Sequence, residues 1–437
     1  MTRLRFAVAP SAPLGVAALR VALANELFRI GHDGTLLLRF DDLDRNRCRP
    51  ALAEQIVHDL EWFGIKPNAV LHQSDRLDAC RGAIERLQRD SILYPCFESE
   101  EELRAKQELR RRRRQPLIYD RAMLALTPAQ RQAAEAKGKR PYWRLKLSGR
   151  TLAWNDLVQG RRQADLSAVS DPVLVAADGT PAPMLASVID DLDAGITHIL
   201  RGEDSAGNTA IQMELFEILT GSAGRVRFGH LPAPIDASGS TPGFRRFDST
   251  SVRTLRHDGV EPAALAACLT NRPPASLEEL ARQLAPEDFA DAKLDPSRML
   301  AANREVLSRM EFADVAGRLP SGATEAFWRA IRGKVDLLKE ARGWWEVVAG
   351  TIVPPVIDGA DDLLAKAAEL LPAEPWDNSV WHRWIEALAA ATGQSPDALA
   401  EPLRLALTGE DTGPDLADLL PLIGRSRVAT RLTVAAT

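Results

Sequence analysis

Three groups of residues in this chain have the types and spacing to do chemistry. The turn APSAPLG carries proline, serine and glycine and runs into Gly15, Val16, Ala17 and Ala18, where a helical period begins. Backbone N–H groups left open at a helix start favour an anion, so Ala12 to Ala18 is the first place to seek the phosphates of a nucleotide. Asp41, Asp42 and Asp44 follow the apolar run TLLLRF, and Arg201, Glu203 and Asp204 end ITHILRGED. Charged groups at strand ends of this kind sit where open parallel sheets bind ligands. The third group is Arg110 to Arg114, five consecutive arginines after an acidic run. It reads equally as an RNA contact or as a solvated helix whose early glutamates and late arginines suit its own dipole.

These groups need elements to position them. Leu4, Phe6 and Val8 alternate as in a buried strand, and Val16, Leu19, Leu23 and Leu27 recur at helical spacing until Gly31 and Gly34. TLLLRF is a continuous apolar run of strand length, the form taken by a parallel strand covered on both faces. The stretch Arg5 to Asp44 is thus a βαβ unit of a doubly wound sheet. Leu52, Ile56, Leu60 and Phe63 mark a helix ended by Gly64 and Pro67, and QSDRLDACRGAIERLQRD marks another. YWRLKL and TLAWNDLVQG read as strands between turns, and an inserted module ends near Asp171. A buried strand is then expected to begin no earlier than Met184, because Pro181 and Pro183 precede it. ITHILRGED is a further strand, and NTAIQMELFEILTG a helix with Asn208 or Thr209 as its cap. FGHLPAPIDASGSTPGFRRFDSTSV reads as a loop of the kind that carries function. From about Pro262 alanine and leucine dominate, and helical periods alternate with Pro/Gly links. Six of the nine tryptophans lie there, Trp328, Trp344, Trp345, Trp376, Trp381 and Trp384, at spacings that make them helical core.

The chain of 437 residues is too long for one core and implies several domains. Its 55 Lys plus Arg against 60 Asp plus Glu give a formal charge of −5, which does not advertise nucleic acid but leaves room for a local basic face. Cys48, Cys80, Cys96 and Cys268 form no CxxC pair and follow no recognisable secretory leader, so the expected compartment is the reducing cytoplasm. No apolar run reaches membrane length, and no membrane partner is expected.

RFAVAPSAPLGVAALRVALANELF resembles the opening of the class I glutamyl-tRNA synthetases, and LLLRFDDLDRNR resembles the acidic strand end that follows there. The resemblance continues through YPCFESEEEL, DGTPAPMLASVIDDLDAGITHILRGED and EPLRLALTG, and so spans essentially the whole chain. It implies an α/β doubly wound, Rossmann-like catalytic domain over residues 1–300, with an inserted α+β acceptor-binding module at about 75–170 and a linking region at about 240–300. An all-helical, anticodon-binding-like domain would fill 301–437. It further implies ATP with Mg2+, glutamate and tRNA as substrates, and a monomer is expected. Some relatives bind zinc in the inserted module through cysteines. Here only Cys96 is offered, so no structural zinc is expected.

Carried over by position, the family's histidine-glycine motif falls on Gly15, Val16, Ala17 and Ala18, with Gly15 replacing the histidine and Ala17 the glycine. Glu203 and Asp204 complete the implied ATP site. The family's lysine loop falls on Gly243, Phe244, Arg245 and Arg246, where Arg245 stands for the catalytic lysine and Arg246 beside it. A guanidinium neutralises phosphate but is no free substitute for a compact ammonium. Arg5, Asp41 and Arg201 match the glutamate-binding positions, with Arg201 expected to grip the side-chain carboxylate in two-pronged fashion. The plain alternative for both arginines is a strand-end ion pair with Asp41, Asp42 or Asp204. Ala9 replaces a serine and Pro183 a tyrosine. A basic face including Arg110 to Arg114 with some of Arg245, Arg246 and Arg253 would meet tRNA.

Three readings follow. One is ATP-dependent ligation of glutamate to tRNA through an aminoacyl-adenylate, and it is the principal one. Another is a catalytically impaired paralogue acting as a tRNA-binding or regulatory protein. The third is a ligase with altered amino-acid or acceptor specificity.

Overall fold

The structure, a computed structural model, describes residues 1–235, 251–291 and 293–435. It divides into two units. The first holds the described residues of Met1–Pro242, Thr250–Arg253 and Ser276–Leu294, and the second those of Thr254–Ala275 and Asp295–Thr437.

The first unit begins with the βαβ stretch. Strand β1 is Arg3–Val8, helix α1 Val16–Gly31 and strand β2 Thr35–Phe40. The two strands run parallel, from Arg3 opposite Thr35 to Val8 opposite Phe40. Leu4, Phe6, Leu36, Leu38 and Phe40 are buried, as are Val16, Leu19, Leu23 and Leu27 of α1, so each apolar face meets another. A Cβ at Gly34 would come 2.8 Å from the Thr2 carbonyl, which keeps the α1–β2 turn small. Helix α2 is Pro50–Phe63, closed by Gly64 at φ +96°, and β3 is Ala69–His72.

Helix α3, Leu77–Arg89, leads to the antiparallel part of the unit. Its elements are β4 Leu93–Cys96, α4 Glu100–Arg112, α5 Pro128–Ala136, β5 Tyr142–Leu145, β6 Thr151–Asp156, β7 Gly160–Asp165 and β8 Val173–Val175. β5 pairs antiparallel with β4 and β8, and β6 with β7. Helix α4 starts on a reciprocal Ser99–Glu102 capping box and carries three glutamates in its first turn and Arg110, Arg111 and Arg112 in its last. Beside it Lys106 bridges Glu98 and Asp120, and Cys96 lies buried 3.8 Å from the Tyr119 hydroxyl. Among the described residues no three His, Cys, Asp or Glu side chains are grouped to hold a metal ion.

The chain then returns to the parallel sheet through α6 Pro183–Asp193, β9 His198–Gly202, α7 Thr209–Thr220 and β10 Arg227–Leu231. The sheet order is β10-β9-β1-β2-β3, all parallel. Two segments depart from the sequence reading. The stretch from Met184 is a helix, because Leu185, Val188, Ile189 and Leu192 repeat at helical spacing and Pro183 suits its first turn. Arg227–Leu231 is an edge strand rather than loop, its Phe228 and His230 buried and Pro232 ending it. Asn208 caps α7 without a side-chain bond, and the neighbouring Thr209 hydroxyl accepts from Arg201.

The second unit is helical, with no strand named among its described residues. Leu307, Phe327, Ile331, Leu364, Leu388, Leu403 and Leu432 belong to one core. Trp328 and Trp384 are fully buried in it and their indoles donate to the Met310 and Ala367 carbonyls at 2.9 and 3.0 Å. Trp344, Trp345, Trp376 and Trp381 pack against the same core. No helix among the described residues is long and apolar enough to cross a membrane.

Candidate active site

The sheet order reverses between β1 and β9. Those two strands pair at a single position, Leu4 opposite His198, so beyond it their carboxyl ends separate. This is the switch point at which doubly wound sheets open a crevice. A cavity of about 600 Å3 occupies it, lined by Arg5, Phe6, Ala7, Ala17, Ala18, Arg20, Arg39, Asp41, Pro183, Ser187, Arg201, Glu203, Asp204 and Gln212, among others. The structure therefore brings Arg5, Asp41, Arg201, Glu203 and Asp204 together with Ala17 and Ala18. Gly15 and Val16 stand just outside that lining: Val16 is buried, and Gly15 precedes the helix and bridges to Ser251. Ala9 is exposed and also outside it. Arg245 and Arg246 lie outside the described residues.

Beneath the cavity Arg5 and Asp41 belong to a network of charges whose other members, Arg39 and Asp191, the sequence did not single out. Arg39 sits within the apolar run of β2, yet it is only 1 % exposed. It donates to Asp41 Oδ1 at 2.7 Å, Asp191 Oδ1 at 2.9 Å and Ser187 Oγ at 2.9 Å. Burial disfavours its charge, but Asp191 and Asp41 outweigh that and hold its pKa above the ordinary arginine value. Arg5 donates through Nε to the same Asp191 oxygen at 3.3 Å. Burial lowers its pKa, Asp191 opposes the fall, and the like charge of Arg39 adds to it. Among the described residues the terminal nitrogens of Arg5 make no hydrogen bond, and they belong to a residue that lines the cavity. None of the strand-end carboxylates Asp41, Asp42 and Asp204 pairs with Arg5 among the described residues; its ion pair is with Asp191 of α6, through Nε.

Arg201 is held differently. Nε donates to His230 Nε2 at 3.1 Å, Nη1 to Gln212 at 2.6 Å, and Nη2 to the Ser205 carbonyl at 3.1 Å and Thr209 Oγ1 at 2.9 Å. All four acceptors are neutral, and no carboxylate among the described residues comes within ion-pair distance. Burial, with the repulsion of Arg5 added, lowers its pKa to about 9. A guanidinium taken from water without a counter-charge is an unmet demand for an anion. Only one of its five N–H groups remains uncommitted, where a two-pronged grip requires two.

Asp42 faces away from this chemistry. It accepts from the Ser74 backbone and hydroxyl at 2.8 and 3.0 Å and lies 2.9 Å from His72 Nδ1. Burial raises its pKa, but those bonds hold it below the ordinary carboxylate range. Arg20 of α1 donates to the carbonyls of Pro232 and Phe289 at 3.0 and 2.8 Å, which ties the segment after β10 to the first helix. Arg20, Arg39, Ser187, Asp191, Gln212 and His230 are the residues that sequence reasoning missed. An arginine inside TLLLRF and paired aspartates inside an apolar helix were the available signals.

Comparison with known proteins follows the same outline. Residues 1–309 match the family model described as tRNA synthetases class I (E and Q), catalytic domain, and residues 357–436 match an anticodon binding domain. A protein of Acidiphilium cryptum named glutamate–tRNA ligase 2 is 50 % identical, with 100 % of each chain covered. One of the same name from Gluconacetobacter diazotrophicus is 47 % identical over 99 % of this chain and 100 % of its own. In fold, the chain is similar to a glutamate tRNA ligase of Elizabethkingia meningosepticum solved with its amino acid, at a TM-score of 0.83 and 23 % identity, covering 100 % of this chain and 99 % of that one.

Proposed function

The chain belongs to the class I glutamate–tRNA ligase family, and on that premise we propose that the cavity between β1 and β9 is where its glutamate and ATP react. Its activity is the ligation of glutamate to tRNA. The α-carboxylate of glutamate attacks the α-phosphate of ATP, pyrophosphate leaves, and a terminal ribose hydroxyl of tRNA then takes the glutamyl group with release of AMP. Catalysis of such a step rests on alignment and on stabilising charge at the phosphates.

The observation that carries the assignment is a buried guanidinium without a counter-charge. Arg5, Arg39 and Arg201 line the cavity with Asp41, Glu203 and Asp204, Arg5 and Arg39 pair with Asp191, and Arg201 has no carboxylate partner among the described residues. A substrate carboxylate supplies the missing charge. In this reading the open Nη pair of Arg5 gives the two-pronged contact and Arg201 adds its one remaining N–H. Asp41, held on Arg39 through Oδ1 at 2.7 Å and more loosely through Oδ2 at 3.5 Å, meets the substrate ammonium. The phosphates lie at the open N–H groups of Val16, Ala17 and Ala18, beside Glu203 and Asp204, with Arg245 as the neutralising cation and Arg246 next to it.

The impaired-enzyme reading draws on the same site. Gly15 presents no side chain to the phosphates, and α1 starts without a side-chain cap bond. The two readings separate in glutamate-dependent ATP–pyrophosphate exchange, measured with and without tRNA beside equilibrium tRNA binding. The ligase reading expects exchange that needs glutamate and falls when Arg5 or Arg201 is changed to Ala. Tight tRNA binding with no exchange under any condition would replace it by the tRNA-binding reading.

A further inference from the structure

His230 and Asp156 form a chain that ends on Arg201. Asp156 closes β6 and is buried, and His230 lies on β10 and is 2 % exposed. The imidazole Nδ1 lies 2.5 Å from Asp156 Oδ2, and Nε2 lies 3.1 Å from Arg201 Nε and 2.9 Å from Thr209 Oγ1. The protons on this chain are fixed by elimination. An arginine Nε–H can only donate, so His230 Nε2 must accept, and the single imidazole proton must sit on Nδ1 and be given to Asp156. Thr209 Oγ1 accepts from Arg201 Nη2 and lies beside the same Nε2.

We propose that His230, oriented by Asp156, is a positioning residue for the glutamate site, holding the Arg201 guanidinium at the angle that presents its remaining N–H to the substrate carboxylate. This rests on the reading of the cavity as the glutamate site. Asp156 is well built for the task. Its Oδ1 accepts the backbone N–H groups of Val158, Gln159 and His230 at 3.1, 3.0 and 3.0 Å, and Oδ2 takes the imidazole and, at a longer 3.4 Å, the Trp154 indole N–H. Those bonds keep the carboxyl ionised against the effect of burial. Gln159 Nε2 also donates to the His230 carbonyl at 3.1 Å. A hairpin outside the parallel sheet therefore sets the tautomer of a histidine inside it, and the tautomer decides whether Arg201 meets an acceptor or a donor.

The test is a tautomer reversal. In Asp156→Asn the three backbone donors retain the amide oxygen, so the NH2 group faces His230 Nδ1, and the imidazole proton is driven to Nε2 against Arg201. Glutamate binding, measured by titration calorimetry with L-glutamate alone, should weaken roughly 10- to 100-fold, the range for losing a charge-assisted hydrogen bond. Affinity for tRNA should stay within about twofold. In the Asp156→Asn/His230→Gln protein the glutamine amide is free to turn its oxygen to Arg201, so glutamate binding should recover. A merely structural role would instead make the double variant worse. The His230→Gln and His230→Leu proteins ask the same question without touching Asp156: glutamine should keep glutamate affinity and leucine should lose it. Equal affinities in that pair, or a double variant no better than Asp156→Asn, overturn the proposal. A wild-type chain that ignores glutamate overturns the glutamate reading of the cavity and this inference with it. Wild-type binding matched by every variant overturns the inference alone.

Discussion

Arg39 and Asp191 meet at 2.9 Å with side chains 1 % and 2 % exposed, a strand arginine held by a helix carboxylate beneath the cavity. The same oxygen takes Arg5, so one aspartate on α6 serves arginines from both β1 and β2. Asp191→Asn would leave two buried guanidiniums with Asp41 as their nearest charge, and Asp41 is one third exposed. Breaking a buried pair by removing one partner costs about 3–5 kcal/mol. Urea unfolding should show a loss of that size, with glutamate binding lost as well because Arg5 turns. A loss below about 1 kcal/mol would place the pair among ordinary solvent-screened contacts.

The parallel sheet was legible because TLLLRF and the β1 alternation can hardly form anything else in that order. Arg39 stayed hidden within TLLLRF for the same reason: one polar residue in an apolar run is averaged away, and its partners lie on α6, far along the chain. The prolines before Met184 mark the start of α6 rather than of a strand, the strand of this stretch being the earlier β8, and the apolar residues after them fit a strand until Leu185, Val188 and Ile189 are counted at helical spacing. Arg227–Leu231 is short, sits at the sheet edge and runs into PAP, so its turn residues outweighed its alternation. The Asp156–His230 contact spans 74 positions, and no local pattern signals a bond of that range.

Acid should act on Asp156 with a definite sign. Burial pushes its pKa up, but His230 and the backbone donors outweigh that and leave it well below the ordinary carboxylate range. A carboxyl whose folded pKa is depressed contributes stability above its unfolded pKa, about 3.9, and loses it as pH falls through the folded value. In between, the unfolded chain binds the proton first. Asp156→Asn should therefore be less stable at pH 7 and show a shallower decline between roughly pH 5 and pH 2. Parallel acid limbs for the two proteins would assign the sensitivity to other carboxylates.

The five arginines bear on tRNA through salt. Arg111 and Arg112 pair with Glu108, exposed contacts of little worth, and Arg113 and Arg114 have no ion pair among the described residues. Arg110 donates to the Pro116 carbonyl. Each phosphate neutralised releases counterions, so tRNA affinity should fall steeply with salt. Changing Arg110, Arg113 and Arg114 to Gln should flatten the plot of log affinity against log salt by roughly one unit per lost contact. Arg253, exposed and 3.2 Å from Gln55, should add a smaller share. An unchanged slope would leave the run as a solvated helix end.

The departures at Gly15 and Arg245 predict slow activation, and the backbone around Gly15 makes the repair testable. Gly15 has φ −85° and ψ 159°, which any residue adopts, and a Cβ built there meets nothing within 4 Å. Gly15→His therefore costs no backbone strain, and Ala17→Gly falls at an exposed position in the first turn, where the penalty is at most about 1 kcal/mol. Losing one preorganised donor at a developing charge typically costs ~10²–10³ in rate. If Gly15 and Arg245 act independently those losses add in free energy, and if they act as a unit the second adds little. The combined Gly15→His, Ala17→Gly, Arg245→Lys protein should raise glutamate-dependent exchange at least ~10²-fold on either count. The single Gly15→His change decides between them: about half of the triple variant's gain in free energy appears if the sites are independent and little of it if both partners are needed. Exchange at an ordinary synthetase rate in the unaltered chain would remove the impairment altogether. A triple variant with no gain would move the defect to the amino-acid end, where Pro183 lines the cavity and Ala9 lies outside it, and would favour the tRNA-binding reading.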